Sequence, residues 1–125
     1  MKKSDDTNDK WDVQLRKGSL ELVILAALKE RKLYGLELLK FLHGFETMVI
    51  TEGTLYPLMD RLKRDNLISA SWVQEGEFRP RKYYQLTDNG EKKLSTLTSR
   101  WRKSVEDIEF LLNNPGPSLI HKKGS

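Results

Sequence analysis

Residues 51–67 read TEGTLYPLMDRLKRDNL. Leu55, Leu58, Met59 and Leu62 recur at helical spacing and predict a helix with one apolar stripe. At roughly 100° per residue, Gly53, Pro57, Asp60 and Arg64 lie opposite that stripe. Tyr56 and Lys63 fall on one flank and Arg61 on the other. A proline on the outward face needs a reason. If Thr54 caps the helix, Pro57 lies in the first turn, where its missing N–H costs nothing. If Thr51 is the cap, Pro57 removes a backbone bond and loosens the turn. Both readings stiffen the helix entry, and the plainest reading is that Pro57 only fixes the helix start.

Upstream, WDVQLRKGSLELVILAALKERK is apolar over a broad face, which predicts a buried helix starting near Gly18-Ser19. YGLELLKFLHG follows as a short second helix, its apolar face read as Leu36, Leu39 and Leu42. Downstream the period changes from helix to strand. ISASWVQ alternates and RKYYQLT is rich in aromatics, with EGEFRP between them, so the two predict a β-hairpin with an extended loop. A last helix opens at TDNGEKKL, where Asp88 and Glu91 have capping-box spacing, and runs through Leu112.

The whole chain has 125 residues, 38% hydrophobic and 32% charged, which suits one small domain with an appended helix. With no cysteine, disulfides and thiolate chemistry are excluded. The longest apolar run, Leu22 to Leu28, is too short to span a bilayer, and MKKSDDTNDKWD lacks the apolar core of a signal peptide. A cytoplasmic protein with no membrane partner is expected. Only His43 and His121 are available as histidines, neither beside an evident partner, and no glycine-rich phosphate loop occurs. No enzyme activity, metal or cofactor is expected.

Two short helices followed by a hairpin form the layout of a winged helix-turn-helix, in a fold that is mainly α with a small β-hairpin. The later helix of such a pair enters the major groove of DNA. The net charge of +4 is compatible with that partner. From Glu52 to Lys93 the chain holds eight basic and seven acidic residues, so arrangement matters more than total charge. Arg79, Arg81 and Lys82 cluster in the wing beside Tyr83 and Tyr84 and can neutralise phosphates. Charged hairpin tips also serve solubility alone.

YGLELL, then ITEGTLYPLMDRLKRDNLI, then RPRKYYQLTDNGEKKL, in that order, resemble the PadR-like transcriptional regulators. The likeness runs from about Gly18 to Leu94. It implies a homodimeric repressor of a palindromic operator, often released by a small molecule or a stress signal. Carried over by residue, it implies DNA contacts from Thr51, Glu52, Gly53, Thr54, Tyr56 and Pro57, and from the wing residues Arg79, Pro80, Arg81 and Lys82. Arg61, Lys63 and Arg64 join this set from their outward positions on the helix. Leu55, Tyr83, Tyr84 and Leu86 match positions that look structural. The wing departs from the family in being short and in carrying Glu77 and Phe78. The short C-terminal region matches the subgroup with a single terminal helix.

In the last helix, Leu94, Leu97, Trp101, Ser104, Ile108 and Leu111 recur at spacings of three and four, a heptad seam that Val105 and Leu112 widen. Pairing with the first helix of a second subunit is expected. Trp101 reads as packing at that seam, or as the wall of a site for a planar aromatic effector that Trp11 could join. The expected divisions are a disordered arm (1–10), a winged-helix domain (11–87), a dimerisation helix (88–112) and a disordered tail (113–125). The rival reading is a winged-helix module that binds protein without specific DNA binding.

Overall fold

The computed structural model describes Lys10, residues 19–114 and Gly116. Trp11 and nearly all of the expected arm and tail lie outside the described residues. The described elements are α1 (Leu20–Ala27), β1 (Leu33–Tyr34), α2 (Gly35–Leu42), a 3₁₀ turn (Glu46–Met48), α3 (Glu52–Arg64), β2 (Ile68–Val73), β3 (Arg81–Leu86) and α4 (Asp88–Asn113). The chain divides into two compact units, one through Leu94 and one from Ser95 onward.

The core of the first unit is built from the stripes that the sequence periodicity marks. Ile24, Leu25 and Leu28 from the first helical segment, Leu38 from α2, Leu55, Met59 and Leu62 from α3, and Ile68 from β2 are almost fully buried. Burial of such side chains supplies the main driving force, at about 1.5–3 kcal/mol each. Leu58 stands at the edge of the α3 stripe and is only half-buried. In α2 the expected face is rotated. Gly35, Leu38, Leu39 and Leu42 point inward and Leu36 is exposed, because Gly35 takes the close inner position at the helix start.

The hairpin has the expected strands, but the sheet has three strands, in the order β1-β3-β2. Leu33 pairs with Tyr84 and Tyr34 with Tyr83, so β1 covers one edge of β3. On the other edge the register runs from Ile68 opposite Leu86 to Val73 opposite Arg81. A two-residue strand is too short to show any period, which is why the sequence does not announce it.

Helix α4 begins with a different cap from the one its spacing suggests. Thr87, not Asp88, holds the first turn: its Oγ1 accepts a bond from the Gly90 N–H at 2.9 Å and donates to the Asn66 carbonyl at 2.7 Å. The same hydroxyl thus ends β3, starts α4 and ties both to the turn after α3. Asn66 itself has a φ of 61°, the left-handed conformation asparagine tolerates at a helix end.

Candidate nucleic-acid interface

The cap of α3 is Thr51, in extended backbone with φ −94° and ψ 165°. Its carbonyl accepts bonds from the Thr54 and Leu55 N–H groups at 3.1 and 3.0 Å. Pro57 therefore stands inside the helix, not at its start. It cannot donate to the Gly53 carbonyl, so the helix carries an unclosed rung on its outward face. Glu52, Gly53, Thr54, Pro57, Lys63 and Arg64 are all exposed around that rung. A methyl group at Gly53 would meet nothing nearer than the Thr51 hydroxyl at 3.7 Å, so the fold itself does not require glycine there.

The two flanks of α3 have separate partners. On one side Arg61 Nη2 donates to Glu21 Oε1 of α1 at 3.3 Å, an exposed pair that turns Arg61 toward the first helix. On the other side Tyr56 lies over Gly35, at the start of α2. Burial, and next the nearby Glu52 carboxylate, hold the Tyr56 phenol above its usual pKa. Tyr56 is therefore an anchored side chain, and its ring direction is fixed by α2.

Asp60 and Lys63 share this second flank, facing the wing strand β3. Burial, then the Asp60 carboxylate and Tyr56, push the Tyr84 phenol up. Lys82 is shifted the other way. The Lys63 amine beside it, with some desolvation, holds Lys82 below the usual lysine range, and Asp60 opposes this in part. Two like charges, one from α3 and one from β3, thus stand together on the outer surface.

Arg81 and Lys82 also lie over aromatic faces. The Arg81 guanidinium lies 4.6 Å from the centre of the Tyr34 ring, and Lys82 Nζ lies 5.9 Å from that of Tyr84. Tyr34 meets Tyr83 edge-to-face at 5.4 Å. Arg81 also has a hydrogen bond to Tyr83, and no carboxylate pairs with it among the described residues. Arg79 and Pro80 are exposed in the connection before β3, and Phe78 is exposed beside them. At the wing tip Gly76 takes a φ of 64° and the Phe78 N–H closes a turn on the Glu75 carbonyl at 3.3 Å.

These parts match a known pattern. The sequence pattern described as "Transcriptional regulator PadR-like family" matches residues 24–96, more than half of the chain. The chain belongs to the PadR-like family of transcriptional regulators. A PadR family regulator from Eggerthella lenta is 33% identical, with a TM-score of 0.77 over 92% of this chain and 100% of that one. A PadR-like regulator from Bacillus cereus is 30% identical, with a TM-score of 0.75 over 82% of this chain and 99% of that one. A curated protein of Lysinibacillus sphaericus, called uncharacterized protein X, is 30% identical over 98 residues, 77% of this chain and 90% of its own length. PadR regulators bind DNA and are not enzymes. The three-stranded sheet and long terminal helix are the PadR winged-helix fold. No helix among the described residues is long and apolar enough to cross a membrane.

Two features beside α3 and the wing are not evident in the sequence. Gly35 leaves room for the Tyr56 ring, a contact between segments far apart in the chain. Trp72 lies in the alternating β2 strand, yet it is 69% exposed. An alternating pattern places a residue on a face of the sheet. It does not say where that face runs out of core.

Proposed function

We propose that this PadR-like regulator is a homodimeric repressor that binds a palindromic operator. Helix α3 enters the major groove through Gly53, Tyr56, Pro57 and Arg64, with Thr51, Glu52 and Thr54 at its entry. The wing lays Arg79, Arg81 and Lys82 on the neighbouring backbone. The observation that carries this reading is the pairing of Lys63 on α3 with Lys82 on β3 beside an Arg81 that is held over the Tyr34 ring. Like charges held together favour an anion between them. Arg61, turned toward Glu21, is assigned a lesser part.

Dimerisation is assigned to α4 and the partner's first helix. Trp101, Ile108, Leu111 and Leu112 are exposed along α4, and Leu97 and Val105 are half-buried between them. Such a stripe on a long helix is costly to leave in water. Leu94 differs from the rest of that seam: at 7% exposure it belongs to the core of its own unit. A two-fold dimer would set its recognition helices about 34 Å apart, on half-sites one DNA turn apart. Trp101 is proposed as the face on which a planar aromatic effector stacks to release the operator, with Trp11 as the candidate second wall.

The test is fluorescence anisotropy of the protein on its own upstream DNA and on a scrambled duplex, across a salt series. A preference of about a thousandfold that weakens steeply with salt is expected. Equal and feeble binding to both duplexes would favour a winged-helix module with a protein partner. Unchanged Trp fluorescence and unchanged DNA affinity with planar aromatics would remove the effector from the proposal.

A further inference from the structure

A cleft of about 550 Å³ opens between the start of α2, the flank of α3 and the inner face of the wing. Its wall includes Lys40 of α2, Tyr56 of α3, and Trp72, Arg81 and Lys82 of the wing. Among the described residues no carboxylate lines it. Lys40 and Trp72 have no part in the DNA contacts named above. Both are exposed, and Trp72 lies directly opposite Lys82 in the strand register.

Resting on the DNA reading above, we propose that this cleft seats the sugar–phosphate strand between the major groove read by α3 and the minor groove touched by the wing. The geometry of the duplex requires such a strand. Adjacent grooves are separated by one backbone, so side chains between helix and wing face phosphates and deoxyriboses, not base edges. The lining suits that occupant. Lys40 of α2 and Lys82 of the wing supply phosphate partners, and the Tyr56 hydroxyl, beside Gly35, is a neutral donor. The exposed indole of Trp72 offers an apolar plane to a deoxyribose. Lys40 and Trp72 thus set affinity and register on the duplex but carry no sequence preference.

The experiment compares the wild type, Lys40→Ala and Trp72→Ala on operator and scrambled duplexes across a salt series. Circular dichroism checks that both exposed substitutions leave the fold intact. Lys40→Ala is expected to weaken both duplexes by the same factor. It should also lower the slope of log affinity against log salt by about two, because a dimer makes the contact twice. Trp72→Ala is expected to weaken both duplexes equally with the slope unchanged.

A wild-type slope in Lys40→Ala, or a loss confined to the operator, would overturn the backbone seat while leaving the operator reading intact. A wild type that prefers neither duplex would overturn both. A third arm uses a Trp11→Phe/Trp101→Phe protein, in which Trp72 is the remaining tryptophan. Its emission should change on saturation with either duplex. A change with millimolar salicylate in place of DNA, and none with DNA, would reassign the cleft to a small aromatic anion and overturn the proposal.

Discussion

Gly35 and Tyr56 occupy adjoining space so closely that a methyl group on the first would overlap the hydroxyl and ring of the second. One residue begins α2 and the other lies in α3, so this contact sets how the recognition helix meets the helix before it. It also fixes the direction of a side chain assigned to DNA. The glycine leaves room for the far end of the Tyr56 ring, and a side chain there would have to push that ring aside.

Gly35→Ala should therefore cost about 1–3 kcal/mol in urea denaturation, the usual range for overpacking. Tyr56→Ala added to it should recover part of that loss, so the two effects will not add. Additive losses would show that the contact does not couple them.

Gly90 is more constrained, because the obstacle is backbone. A methyl group there would fall on the Leu67 carbonyl oxygen, which also accepts the Thr87 N–H at 3.1 Å. Relief would require α4 to move away from the turn after α3, breaking the Thr87 cap with it. Gly90→Ala is expected to destabilise by about 4 kcal/mol or more, in the exceptional range for a single substitution. A melting temperature within a few degrees of the wild type would contradict this account (about 4–8 °C per kcal/mol at this size).

Arg61 and Arg64 are both exposed cations on α3, but their surroundings differ. Arg61 is turned to Glu21, while Arg64 lies on the outward face. Arg64→Ala should weaken operator binding more than Arg61→Ala in the anisotropy assay. Glu21→Gln should change stability by less than about 1 kcal/mol, as for exposed ion pairs generally. Equal losses from the two arginines would show that the pair opens on DNA.

The α4 stripe makes a separate prediction. Ile108→Asp with Leu111→Asp places two charges among exposed apolar side chains and should leave the winged unit folded. Sedimentation is expected to show a monomer, and operator affinity should fall at least tenfold as the second half-site is lost. A dimer that persists in this variant would move the interface elsewhere.

Lys82 links binding to pH. Its pKa lies below the usual lysine range, first because of Lys63. It therefore loses its charge earlier as pH rises, and a bound phosphate anion would favour the protonated amine, so that Lys82 takes up a proton on binding. Operator affinity should therefore begin to fall at a lower pH than an unperturbed lysine would allow. Lys63→Met removes the neighbouring charge, so the fall should begin at higher pH. An identical profile in the variant would separate Lys82 from the bound phosphate.

The order of the four helices and the hairpin, the buried stripe of α3 and the family resemblance were legible in the residues alone. Each is a local signal: a period of 3.6 or 2, a turn residue, or a motif such as TEGTLYP. The apolar seam of α4 was legible for the same reason, except that Leu94 proved to be core. Tertiary structure alone decided the rest. It added β1, too short to carry a period, to the free edge of β3. It chose Thr51 over Thr54 as the cap of α3, placing Pro57 within the helix. It turned one flank of α3 to Glu21 and the other to Gly35 and Lys82. Periodicity reports which side of a helix is apolar, but the partner of each polar flank depends on chain segments far away in sequence. Burial and distance between those segments exist only once the core has closed.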